Sequence, residues 1–211
     1  MKEDILEKLF LKENNDLSEL DVKYCIQVID YTDIETIVSF LQNNSSRLRE
    51  ITKSNIPQFS DFDAIGKVLL IVESSTEGLD YRRIGYFFNK DNNDNAQRKY
   101  GENHYKLAAS LQLVSERKPY SITDISREIK NKSDKEKREF FIKMSLGSPV
   151  VQHIIALASE QEVDVVNYLN NYLAPSTAIR RGSSVKKLLE LILEAGNSEN
   201  LTRIKKNLGW Y

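Results

Sequence analysis

Apolar residues in this chain return at intervals of three and four, and rarely at two. Ile65, Val68, Leu69 and Val72 form one such row, and His104, Leu107, Ala108 and Leu111 form another. Further rows are Ile34, Ile37, Val38 and Leu41; Val150, Val151, Ile154, Ile155 and Leu157; and Val185, Leu188, Leu189 and Ile192. That spacing lines one face of an α-helix, whereas a half-buried strand needs alternation. Only Tyr120-Ser121-Ile122-Thr123 has a strand-like composition. Val22–Ile29 satisfies both periods and leaves a short strand open there. With eight Gly and four Pro, the chain has few turn residues for an all-β fold. The pattern predicts a mainly α protein.

Punctuation divides it. Ile56-Pro57-Gln58 interrupts the helical pattern, because proline disfavours helix in the residue before it. Thr32 and Glu35 stand at the spacing of a capping box, which predicts a helix from Ile34. Asp61 or Asp63 can cap the next one, which ends near Glu77-Gly78-Leu79. Leu79–Asn89 reads as a short helix with Ile84, Phe87 and Phe88 inward, and Asn89–Asn95 as a polar turn. Lys130–Arg138 is a charged linker or helix start. The expected organisation is a helical N-terminal segment (1–58), a winged helix-turn-helix unit (59–132) and a second helix-turn-helix-like unit (133–211).

Composition excludes several classes. No apolar run approaches the ~20 residues of a membrane span, and MKEDILEKLF lacks the pattern of a signal peptide. The expected location is therefore the cytoplasm. Cys25 is the only cysteine, so an internal disulfide and a cysteine-built zinc site are ruled out. The net charge of −1 conceals an asymmetry: residues 1–60 carry seven Lys/Arg against 11 Asp/Glu, and residues 80–138 carry 14 against nine. For a polyanionic partner the distribution matters more than the total.

The basic part centres on Gln97–Val114, an amphipathic stretch with its apolar row from His104 to Leu111. Gln97, Arg98, Lys99, Asn103, Lys106 and Ser110 are left for the opposite face. Arg and Lys suit phosphates and guanine edges, and Asn and Gln suit adenine edges. Gly101 costs about 1 kcal/mol inside a helix, which leaves the helix start open. Ser115–Ile129 reads as a short hairpin running into a helix capped by Thr123, with Arg117 and Lys118 at its tip. Thr177–Ala195 repeats the plan, offering Arg180, Arg181, Ser184 and Lys187. Arg180-Arg181 and Lys186-Lys187 fall within eight residues that contain no acid. A tandem pair of helix-turn-helix units, each offering one helix to a major groove, is the expectation.

These residues resemble the DNA-recognition region of bacterial Type II restriction endonucleases. The likeness rests on Arg98-Lys99, His104-Tyr105, Leu111-Gln112-Leu113 and Ile122-Thr123 with Ser126, then on Pro149-Val150-Val151 and Thr177-Ala178-Ile179-Arg180-Arg181. It covers roughly residues 61–195, and Gln112 and Ser126 stand where glycines are usual. It implies sequence-specific binding of double-stranded DNA, as the recognition component of a restriction-modification or defence system, beside a nuclease or methyltransferase. Alternatives are a homodimeric transcriptional repressor, a Mg-dependent nuclease and a protein-binding scaffold. A nuclease needs clustered carboxylates. The only candidates, Glu116-Arg117-Lys118 with Asp91 or Asp94, fall on a predicted loop and a polar turn. His104 and His153 share no metal-ligand spacing. No catalytic residue, metal or cofactor is therefore expected.

Overall fold

The computed structural model describes residues 2–12, 19–75, 78–88 and 93–210. In chain order its helices are α1 (Lys2–Phe10), α2 (Glu19–Tyr31), α3 (Ile34–Asn43), α4 (Ala64–Ser74), α5 (Tyr81–Phe88) and α6 (Asp94–Ser110). Then follow α7 (Asp124–Glu128), α8 (Asp134–Met144), α9 (Pro149–Ala158), α10 (Val165–Leu169), α11 (Pro175–Glu194) and α12 (Glu199–Asn207). The fold is mainly α. Among the described residues no strand forms, and Val114 and Ile122 make one isolated antiparallel bridge. The Val22–Ile29 ambiguity resolves to helix, with Val22, Cys25 and Ile29 buried. Asp91, Glu77 and residues 89–92 of the polar turn lie outside the described residues. No single described helix is long and apolar enough to cross a membrane.

The chain divides into two units, one made of Met1–Ile56 with Asp134–Tyr211 and the other of Pro57–Ser133. In the first, side chains from the C-terminal part satisfy backbone carbonyls of the N-terminal part. Gln152 is fully buried, and its Nε2 donates to Phe10 O at 2.9 Å and Leu146 O at 2.7 Å. Lys143 Nζ donates to Ile29 O at 2.8 Å and Asp30 O at 3.1 Å. The Phe10 carbonyl ends α1 and those of Ile29 and Asp30 end α2, where the last turn has no intrahelical donor and a cation is favoured. His153 Nε2 donates to Arg49 O at 3.0 Å. The expected capping box at α3 is corrected. Asp33 is the cap, its Oδ1 accepting from Thr36 N at 2.6 Å, while Thr32 is buried and Glu35 Oε1 accepts from Asn197 N at 3.1 Å.

In the second unit, α4 buries Ala64, Ile65, Val68 and Val72. Neither aspartate caps it as expected. Asp63 stands at the N-cap without a side-chain capping bond, and Asp61 Oδ1 accepts from Asp63 N at 3.0 Å. The helix α5 meets α6 at two glycines. A Cβ on Gly85 would overlap the Gln97 carbonyl, and one on Gly101 would overlap the Tyr81 carbonyl. Gly101 therefore sits inside α6, which begins at Asp94 under the Asn93 cap. The ~1 kcal/mol propensity cost is offset by main-chain contact no larger residue permits. Of the expected inner face of α5, Ile84 is buried, but Phe87 is 53% exposed.

The end of α6 explains where the glycine-rich pattern is missing. Gln112 has φ 61°, the left-handed region that glycine favours. Its N–H reaches Ala109 O at 2.9 Å and the Leu113 N–H reaches Ala108 O at 3.0 Å, a Schellman ending. Thr123 Oγ1 donates to Gln112 O at 2.7 Å, and Ser126 Oγ donates to Leu113 O at 2.5 Å. Left-handed backbone costs a non-glycine residue roughly 1–2 kcal/mol, against about 0.4–1 kcal/mol for the extra unfolded-state entropy of glycine. Strain relief wins. Gln112→Gly is expected to raise stability by roughly 0.5–1 kcal/mol, read as a higher denaturation midpoint at unchanged m-value; a lower midpoint would refute the strain.

Candidate nucleic-acid interface

The sequence of α6 gives it two faces. Gln97, Gly101, His104, Tyr105, Leu107 and Ala108 are buried. Arg98, Lys99 and Lys106 are exposed, with Glu102 and Asn103 half-buried between them. His104 fixes the inner face. The Asp61 N–H donates to its Nε2 at 3.3 Å, so that nitrogen is an acceptor and Nδ1 carries the proton toward Tyr100 O at 2.9 Å. Its ring lies 5.7 Å from Phe88 and 4.0 Å from Tyr100, centroid to centroid. This imidazole belongs to the core and not to the surface.

Tyr105 carries α6 into the following loop. Its hydroxyl donates to Ser115 O at 2.8 Å, and its ring lies 4.4 Å from Tyr120 and 5.8 Å from Tyr81. Tyr81 and Tyr120 stack at 5.2 Å. Ser115 Oγ ties the loop to itself, accepting from Ser121 N at 3.1 Å and lying 3.0 Å from Arg117 O and 3.1 Å from Pro119 O. Glu116, Arg117, Lys118 and Pro119 are left outside. Lys118 Nζ lies 5.7 Å from the Tyr120 ring centroid. Burial first, then the neighbouring Tyr81, push the Tyr120 phenol up to about 12, while Lys118 and Lys106 pull it the other way. Tyr105 of α6 and Lys118 of the loop both lie against the Tyr120 ring, so the loop tip is packed beside the helix.

Charge on this surface is partly committed. Glu102 lies 2.6 Å from Lys106 Nζ and 3.3 Å from Lys99 Nζ. Lys106 foremost, and Lys99 with it, hold the Glu102 carboxyl below its usual range. Asp94 pairs with Arg82. Arg98, Arg117 and Lys118 make no ion pair among the described residues. The chain position of Glu102, three after Lys99 and four before Lys106, is readable as a helix-surface pairing, and sequence reasoning passed over it.

Expected contact residues fare unequally. Gln97 is corrected: it is 6% exposed, under Gly85 of α5, and presents no amide to a base. Ser184 is corrected likewise at 3% exposed, because it lies on the inner side of α11 beside Val185 and Leu188. Arg181 is half-buried and donates from Nη1 to Lys53 O at 2.7 Å and Ile56 O at 3.0 Å, so it holds the Lys53–Ile56 turn. Arg180 is exposed and Lys187 half-buried. The acid-free cation cluster therefore does not form one face. Glu116 sits on the exposed loop tip and Asp94 starts α6, so the structure does not gather them. Among the described residues no group of three His, Cys, Asp or Glu side chains could hold a metal ion. Comparison with family models, curated proteins and solved structures finds no match.

Two outcomes are expected. Arg181→Ala removes charged donors from two carbonyls and should lower stability by about 1–3 kcal/mol in chemical denaturation; an unchanged midpoint would contradict the clamp. Tyr120 has a raised folded-state value, so its contribution is complete below the ordinary phenol value of 10.0 and is lost as pH rises toward about 12. Alkaline unfolding followed by tyrosinate absorbance should come at a higher pH than in Tyr81→Phe, in which the neighbouring phenol is gone.

Proposed function

We propose that the chain binds double-stranded DNA sequence-specifically through the exposed face of α6 and the loop tip Glu116–Pro119. What carries the reading is the packing of Tyr105 of α6 on Tyr120 at 4.4 Å, with Lys118 of the loop tip 5.7 Å from the same Tyr120 ring. A helix face beside a basic loop suits a major groove flanked by its phosphate backbones. Residues 59–132, within the unit Pro57–Ser133, are read as a winged helix-turn-helix unit, in which α5 supports α6 and the Ser115–Ser121 loop is the wing. In the other unit, α10 and α11 follow the same plan with Arg180 outward.

Long-range attraction is not the source of affinity. The unit Pro57–Ser133 carries 12 Lys/Arg against 11 Asp/Glu, and beyond about 8–10 Å physiological salt screens the rest. Local placement must supply it, from Arg98, Arg117 and Lys118 with Lys99 and Lys106. The resemblance to the recognition region of Type II restriction endonucleases supports reading the chain as the recognition component of a restriction-modification or defence system, working with a nuclease or methyltransferase. A protein-binding scaffold is the second reading, favoured by Tyr86 and Phe87 on α5, which are 47% and 53% exposed.

Affinity for duplex DNA, measured against salt, separates them. Three to five neutralised phosphates give log K against log salt a slope of roughly −3 to −5. Arg98→Ala should weaken binding and reduce that slope by about 1 if the side chain meets a phosphate, or cost about 1–3 kcal/mol at one base position if it reads a guanine. Salt-independent or absent binding would overturn the DNA reading and leave the scaffold.

A further inference from the structure

Glu102 is the carboxylate that lies between Lys99 and Lys106 on the outward face of α6, whereas Asp94 at the start of the helix pairs with Arg82. Its side chain is 19% exposed, against 56% for Lys99 and 58% for Lys106, so the carboxylate lies below two ammonium groups that reach further out. Lys106 and Lys99 both favour its ionised form. This arrangement stabilises α6 only slightly, because exposed pairs of this spacing are weak. Its effect on a ligand is larger. A phosphate that draws Lys99 or Lys106 away strips the carboxylate of a partner and leaves a half-buried anion near the polyanion.

On the DNA reading, we infer that Glu102 sets the specificity of this surface by accepting a hydrogen bond from the exocyclic amino group of a cytosine. Among base edges in the major groove, cytosine offers N4–H₂ as a donor, and a carboxylate is its matching acceptor. Two contributions act together. At a matched site the amino group replaces the lysines that move to phosphates, so all three charged groups stay partnered. At an unmatched site either the lysines stay on Glu102 and contribute nothing to binding, or they leave and the carboxylate is desolvated without a donor. Discrimination then arises mostly from rejection of wrong sites. Arg98 and the loop tip supply affinity that does not depend on this exchange.

The test is Glu102→Gln in the full chain, using random-sequence duplex and duplexes selected by the wild type from a random pool. The amide is isosteric and neutral, and it releases both lysines. The variant should bind random duplex about tenfold more tightly, with a salt slope steeper by roughly 1–2 as the lysines reach phosphates. The cytosine favoured by the wild type at one position should lose its preference by at least about fivefold. A merely structural Glu102 would give the opposite result, weaker binding through a loosened α6. If the wild type binds duplex DNA and the variant matches it in slope and selectivity, or binds more tightly with selectivity intact, the specificity inference falls and the DNA reading stands. If neither protein binds duplex at low salt, both fall.

Discussion

The unit that carries the proposed surface depends on a contact with no side chain in it. At Gly85 and Gly101 the backbones of α5 and α6 come closer than any Cβ would permit. That approach brings Phe88 onto Tyr100 and His104, and Tyr81 onto Tyr105. It also decides which residues of α6 face inward. Gln97 is under Gly85, so the residues a little further round, Arg98, Lys99, Glu102 and Lys106, become the outer face. Position on the helix is fixed by packing behind it, and the chemistry in front follows.

The other unit is held differently. Chain segments far apart in sequence are joined by side chains that donate to exposed ends of backbone, as Gln152 does for Phe10 and Leu146, Lys143 for Ile29 and Asp30, and Arg181 for Lys53 and Ile56. Each satisfies carbonyls that a helix end or turn leaves open. Cys25 shares this core; burial first, then Asp21 and Asp30, push its thiol up to about 12, which keeps it an unreactive packing group.

Periodicity made the helices legible, because burial of one face is a local rule. The row His104, Leu107, Ala108 and Leu111 is inside as its spacing requires, and Thr123 caps α7 from the position where sequence puts it. Caps that depend on distant partners were not legible. Glu35 sits at the spacing of a capping box but bonds Asn197, and Arg181 looks like a surface cation but bonds a turn more than a hundred residues away. Gln97 was misplaced for a related reason: an amide reads as polar, and nothing local reveals that two glycines pull α5 down over it. The Lys99, Glu102 and Lys106 spacing is local and legible, but only where the acid is weighed together with the cations.

One hydroxyl governs how this surface can change over time. Ser115 Oγ gathers Ser121 N and the carbonyls of Arg117 and Pro119, and its main chain pairs with Ser121 while Tyr105 holds it from below. The loop therefore has a set length, and an inserted residue would break that closure. Variation is confined to substitution at Glu116, Arg117, Lys118 and Pro119. On the proposed DNA reading, chains that prefer another target diverge in those letters while keeping the count between the two serines, so that a short stretch of fixed length becomes the evolvable part of a rigid frame.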